Sequence, residues 1–521
     1  MNEVIRLNTK FVNDYILYIK GDNEKANNLL KYAFYLLTTK QDELSFNFSY
    51  NIIINYCLRT QNFTPLLEFS IIFGYSPILD IIYNTYECGH ITEVEKFIGR
   101  YYIEDNRHQN KILTNGQKVL YSMIGDECDY SIVAPTSFGK TEMMLESALR
   151  SDGDCIIIVP LVALLNQVKS NLKDMAKVID KKIKIITHQE IKKSDTLKNV
   201  YILTQERCFE LIKNNSFSNI TDLFIDEAHK LLTKSERTYK LSQIILILKK
   251  QFNCHVRYYS PVLNNALSIK IKGLHNSDIH SVDGIRDMKC YNYYFYNEHR
   301  KYIYIPNTER LTKDYIIGER YENSNEYILK NSKNKNIVFY NSPKDVEKNA
   351  LQFSLYLNDE IEIDTKNLED FIGNDYYVFD TLKKGVVYIH GQMPDLIKDY
   401  LLNMYRKNEK IKYLFTNSSI LEGVNTPSDN LFICDYKVGK NVMSYKDFIN
   451  LRGRINRINE VVKHKNLERL LCDIHFIVTS DSIKQRIRNN IINPCYGIKL
   501  ADEGNNEYLE IFNNKEISNE F

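Results

Sequence analysis

The stretch Ser131-Ile-Val-Ala-Pro-Thr-Ser-Phe-Gly-Lys-Thr141 reads as a short apolar strand, a tight turn and the opening of a helix. It fits the phosphate-binding loop pattern, with Ala134 in place of the first glycine and Gly139-Lys140-Thr141 closing the loop. Gly139 has no Cβ, so the turn can close around a triphosphate. The N–H groups of Thr136, Ser137, Phe138 and Gly139 and the start of the following helix would then face the anion. Lys140 would add a point charge on the β- and γ-phosphates, and the Thr141 hydroxyl would hold Mg²⁺.

Working outward, strands alternate with helices from about Gln109, the signature of a parallel sheet covered on both faces and hence of an α/β fold. Upstream of the loop, the Gln117 amide can read an adenine edge as donor and acceptor; the bland alternative is a helix-surface glutamine. Downstream, Cys155 to Pro160 is a buried-strand run leading into Leu161 to Gln167, and Val200 to Arg207 repeats a strand ending in polar residues. In an open parallel sheet the ligand side lies at the carboxyl ends, which places Pro160, Gln167, Thr204, Gln205 and Arg207 on the loop's rim. Leu223-Phe-Ile-Asp226-Glu227-Ala-His229 ends an apolar strand in two carboxylates. Asp226 suits Mg²⁺ held through water, and Glu227 suits proton removal from an attacking water; a free-standing pair would be a solvated turn. His229 has no second ligand at i±4 and is a poor metal ligand.

A second α/β unit starts at Asn336 to Ser342, a strand ending in small polar residues. It continues through Val386 to Pro394 and through Ile411 to Pro427, which contains Thr416 and Glu422-Gly423-Val-Asn425. Phe448 to Arg457 carries Arg454 and Arg457 one turn apart, read as facing one side of a helix or its lead-in and able to clamp phosphates together.

These segments resemble superfamily 2 DEAD/DEAH-box helicases: Ala134 to Thr141 is similar to motif I and Asp226-Glu-Ala-His229 to motif II. Gln117 resembles the Q motif, Pro160 to Gln167 motif Ia, Thr204 to Arg207 motif Ic, and Ser342 lies in a likeness of motif IV. The run from Thr416 to Pro427 resembles motif V of the Ski2-like branch, and Arg454 and Arg457 stand in motif VI. The chain departs from the pattern at motif III, where Tyr258-Tyr-Ser260-Pro261 replaces Ser-Ala-Thr, and at Asn450 and Asn456 in motif VI. The resemblance implies two tandem RecA-like domains with ATP and Mg²⁺ between them, and Lys140, Asp226, Glu227, Arg454 and Arg457 as catalytic residues. It puts Gly423 and Asn425 near the nucleotide. It also gives Pro160, Gln167, Thr204, Arg207, Ser342 and Thr416 to the nucleic-acid backbone. The track would be single-stranded or 3′-overhang DNA, or RNA, followed 3′ to 5′. The loop and motif VI also resemble helicase subunits of antiphage systems of the Hachiman kind, which work with a separate nuclease. The stretch after Arg457 leaves no room for the winged-helix and ratchet domains of Ski2-like proteins, which a partner would then supply. The competing readings are a nucleic-acid-gated ATPase switch that regulates an effector without unwinding, and a scaffold with a vestigial site.

The implied organisation is a helical accessory domain over 1–105, a RecA-like domain over 106–290 and a β-rich connection over 291–335. A second RecA-like domain follows over 336–490, then an acidic tail over 491–521. Helical periodicity in the first part is punctuated by Pro65, Gly74 and Pro77. The tyrosines of Tyr291 to Ile305 read as half-buried strand residues over a base-stacking face. A net charge of +2 makes any polyanion surface local, and 44% hydrophobic with 26% charged residues excludes disorder. The ten cysteines show no ligand spacing and are expected to be reduced. No apolar run spans a bilayer and Met1-Asn-Glu-Val is not a signal peptide, so a cytoplasmic protein without a membrane partner is expected.

Overall fold

Strand segments such as Cys-Ile-Ile-Ile and Leu-Phe-Ile carry apolar residues on both faces, and both faces must therefore be covered. The computed structural model describes residues 7–40, 42–86, 91–124, 128–135, 138–160, 162–188, 192–232, 236–261, 280–282, 285–306, 315–363, 365, 368–369, 376–420 and 426–496. The predicted site residues Thr136, Ser137, Gly423 and Asn425 lie outside the described residues, as does the sequence from 497 onward. The chain forms two units, Asn115–Asp287 and the combination of Met1–Thr114 with Met288–Ile498.

In the Asn115–Asp287 unit, seven strands form one sheet. Their order is Ile183–Ile186, Lys198–Leu203, Asp154–Ile158, Ile220–Ile225, His255–Ser260, Tyr130–Val133 and His280–Val282. Every neighbouring pair is parallel. The four central residues Tyr130 to Val133 and the run Cys155 to Ile158 are buried throughout, as two-sided cover demands. Asp222 and Arg257, on adjacent strands, form a buried ion pair at 2.7 Å. The helices Lys140–Arg150 and Val162–Val178 follow the first two of these strands in the chain.

The other unit holds an eight-stranded sheet in the order Tyr315–Arg320, Arg300–Tyr304, Cys290–Asn297, Leu471–Ile477, Asn430–Ile433, Asn336–Phe339, Tyr413–Thr416, Val386–Ile389. The first two pairings are antiparallel and the rest parallel. Three strands of the span expected as a β-rich connection, Cys290–Asn297, Arg300–Tyr304 and Tyr315–Arg320, thus belong to this sheet, and Cys290 to Tyr296 pairs residue by residue with Leu471 to Ile477. Tyr291, Tyr293 and Tyr296 are buried, which favours the strand reading over an exposed stacking face.

Among the described residues, six helices fill the stretch before Asn106: Thr9–Ile19, Ala26–Thr39, Glu43–Thr60, Thr64–Phe73, Ser76–Thr85 and Glu93–Asp105. Pro65 and Pro77 stand in first turns, and Gly74 ends its helix at φ 67°. These helices are fastened to the eight-stranded sheet. Tyr50 donates to the Met288 carbonyl at 3.0 Å, Asn51 Nδ2 to Asn292 Oδ1 at 2.6 Å, and Asn292 Nδ2 to Asp473 Oδ1 at 2.9 Å. The predicted tail boundary also moves, because Ile491, Ile492 and Tyr496 are buried and Tyr496 shares a 3.0 Å hydrogen bond with Tyr293. Apolar side chains on a helical spacing outweigh the polar composition of that segment.

His475 lies in the middle of this sheet. Its ring stacks on Phe432 at 4.7 Å and on Tyr294 at 5.0 Å, and its Nδ1 shares a 2.7 Å hydrogen bond with the Tyr327 hydroxyl. Burial, reinforced by the Lys301 charge, holds its pKa well below the ordinary histidine value. An unfolded chain takes up a proton here near pH 6.5 and the folded one does not, so stability is full above that pH and declines as pH falls below it. The thermal midpoint should therefore drop between pH 7 and pH 5, and His475→Gln should flatten that slope; an unchanged slope would contradict the assignment.

Candidate nucleotide and nucleic-acid site

Parallel pairing brings the carboxyl ends of the Asn115–Asp287 strands to one rim. The ladder extends past the strands there, with Ala134 N–H donating to Ser260 O, Val159 N–H to Leu203 O and Asp226 N–H to Ile158 O. Gly139 has φ +90° and precedes the helix Lys140–Arg150 without a side-chain cap, which leaves that helix start open to an external acceptor. Among the described residues a Cβ on Gly139 would meet only Gln117 Nε2, at 3.7 Å, so the requirement for glycine there is conformational.

Lys140 is buried, and its Nζ donates to the carbonyls of Ala134 at 2.5 Å and Pro135 at 2.8 Å. The ammonium is thus held by the loop's own oxygens, a position from which phosphate oxygens could take it over. Phe138 differs from the reading: its N–H donates to Pro135 O at 3.0 Å and its ring is buried beside Gly116, so in this structure it closes the turn. The Gln117 amide donates to Phe138 O at 2.9 Å, which ties the adenine-reading candidate to the loop itself. Thr141, the predicted Mg²⁺ ligand, is the second residue of the loop helix.

Asp226 and Glu227 leave the end of strand Ile220–Ile225. Glu227 adopts φ 54°, a left-handed conformation uncommon for a side chain with a Cβ, and its N–H donates to Asp226 Oδ1 at 3.0 Å. Burial and the neighbouring Glu227 charge raise the Asp226 pKa, while Lys140 opposes the shift. Glu227 Oε2 makes no hydrogen bond and lies 3.4 Å from His229 Nδ1. A buried carboxylate disfavoured as an anion, Asp226, is one that a cation would stabilise, which fits Mg²⁺ held by Thr141 and Asp226. No cluster of three or more His, Cys, Asp or Glu occurs among the described residues, so phosphate oxygens and water would have to complete the ion's shell.

The nucleic-acid candidates divide. Thr204 caps the helix Gln205–Lys213 by accepting from Arg207 N–H, and Arg207 donates to Thr187 O at 3.1 Å. Pro160 is buried at the rim, and Gln167 lies half-buried on the helix Val162–Val178. In the eight-stranded unit, Ser342 caps Pro343–Ser354 and donates to Asp345 at 2.5 Å. Thr416 is completely buried at the end of its strand, with its hydroxyl turned to Asn417 O at 3.4 Å. Burial shuts Thr416 off from an external phosphate in this structure.

Arg454 and Arg457 are not on one helix. The helix Tyr445–Arg452 ends before them, Asn456 turns at φ 46°, and Arg457 precedes the helix Ile458–His464. The segment runs beside Thr426 to Ser428, with Thr426 Oγ1 donating to Arg454 O at 3.0 Å and Asn456 N–H to Ser428 O at 2.7 Å. Burial and the like charges of Arg454 and Arg406 pull Arg457 down to about 9.

Residues 111–260 match the DEAD/DEAH box helicase family, so the chain carries a helicase domain of that class, the class of nucleic-acid-dependent ATP hydrolases. The chain is also similar to anti-bacteriophage protein B of Escherichia coli (strain K12), with 23% identity over 373 residues, covering 67% of this chain and 45% of that protein. It therefore spans less than half the length of that relative. No helix among the described residues is long and apolar enough to cross a membrane.

Gly139→Ala should cost about 1–3 kcal/mol, because an alanine at φ +90° is strained even with room for its methyl group. Thermal melts should show the loss together with weaker nucleotide binding; an undisturbed midpoint would mean that the loop does not need its left-handed residue.

Proposed function

We propose that the chain is an ATP-driven superfamily 2 translocase of the Ski2-like branch, acting 3′ to 5′ on single-stranded or 3′-overhang nucleic acid, DNA in preference to RNA. We infer further that it is the helicase subunit of an antiphage defence system and works with a nuclease. The observation that carries the enzymatic part is the rim of the Asn115–Asp287 sheet. There Lys140, at the start of the loop helix, exerts its charge on Asp226 beside Glu227. The match to the DEAD/DEAH family and the name of the Escherichia coli relative support the rest.

In this reading Lys140 leaves the Ala134 and Pro135 carbonyls for the β- and γ-phosphates. Thr141 and Asp226 hold Mg²⁺, which when bound neutralises charge on the phosphates. Glu227 accepts a proton from the attacking water, with His229 positioned against its carboxylate. Arg454 and Arg457 contribute positive charge to the developing transition state. Pro160, Gln167, Thr204, Arg207 and Ser342 follow the nucleic-acid backbone, so binding should weaken steeply with salt.

ATP turnover should rise with single-stranded DNA, and a labelled strand should be released from a 3′-overhang duplex. Lys140→Ala or Glu227→Gln should reduce turnover by about a hundredfold or more while leaving the fold intact. Stimulated turnover without strand release would replace the translocase by an ATPase switch, and full activity in either variant would remove the site assignment.

A further inference from the structure

The rim opposite Ser342 and Thr416 carries a second chemistry. The strands beginning at Asn336, Tyr413, Asn430 and Leu471 start on this side, and a cavity of about 740 Å³ opens beside them. Its wall carries Lys335, Arg406, Lys407, Lys412, Lys463 and Arg469 against two carboxylates, Glu409 and Glu460. Arg469 is committed to Asp429 at 3.0 Å. Lys335 is 7% exposed, and its Nζ donates to the carbonyls of Tyr405, Asn408 and Ile411 at 2.5, 2.6 and 2.6 Å. Tyr405 and Asn408 close the helix Asp395–Lys407, and with Ile411 their carbonyls take all three N–H groups of the ammonium without cancelling its charge. Burial pulls Lys335 down to about 8 and lowers Arg406 as well, while Asp429 and Glu409 oppose the shift at Lys335 and Asp399 opposes it at Arg406.

An excess of positive charge around a walled cavity is stabilised by an anion, and small-molecule sites occupy about 300–1,000 Å³. We propose that this cavity is a second anion site, which takes a phosphorylated ligand of nucleotide size with its diphosphate between Arg406, Lys412 and Lys463, Lys335 adding its charge from the wall. The Gly139-Lys140-Thr141 loop belongs to the other unit, and among the described residues Arg454 and Arg457 do not line the cavity. The site therefore stands whether or not the translocase reading does.

Pyrophosphate and ADP titrated calorimetrically into the full chain carrying Lys140→Ala test this directly, because the loop lysine is then absent. Both probes should bind at one site. Lys412→Gln with Lys463→Gln, two exposed positions at the cavity wall, should weaken that binding by about tenfold. Each single substitution, with its thermal midpoint checked against the parent, guards against loss of fold. Absence of binding in the Lys140→Ala chain would overturn the proposal, and so would affinity unaltered by the cavity substitutions.

Discussion

Parallel hydrogen bonding makes every strand of a ladder start at one edge and finish at the other, and the chemistry of this protein follows from that constraint. In the Asn115–Asp287 sheet it gathers residues far apart in the chain, Gly139 and Lys140, Thr204, and Asp226 with Glu227, at one rim. In the eight-stranded sheet the same geometry separates two sets of residues. Ser342 and Thr416 end up at the carboxyl side, while Lys335, Lys412 and Asp429 collect where strands begin.

Electrostatics gives the rims their character. The Glu227 charge next to Asp226 at a buried strand end raises the Asp226 pKa, and Lys140 only partly relieves it. The opposite sign prevails at Arg457, which burial and the charges of Arg454 and Arg406 depress. Local strain accompanies both: Gly139 and Glu227 are left-handed at one site, and Asn456 at the other.

The helical and strand elements that pattern alone indicated are present, since apolar periodicity and Pro or Gly boundaries are local signals: Gly74 ends a helix, and Cys155 to Ile158 is a buried strand. Partnership between distant segments was not legible. Nothing in Asn51 announces that its amide meets Asn292, nor in Cys290 to Tyr296 that it pairs with Leu471 to Ile477. The segment 291–335 therefore read as a connection although it completes a sheet, and 491–496 read as tail although Tyr496 reaches Tyr293. The cationic cavity was equally invisible, because its lysines and arginines come from five separate stretches that look like ordinary solvated charge.

By itself the sequence determined which residue types stand next to each other: glycine, lysine and threonine on a strand-to-helix turn, and aspartate and glutamate on a strand end. Those choices follow from backbone conformation and short-range charge, which act over a few residues. Only the tertiary structure decided which of these side chains are already engaged. Lys140 rests on loop carbonyls, Phe138 closes the turn, and Thr416 is buried, because hydrogen-bond satisfaction and burial depend on neighbours that only folding brings within reach.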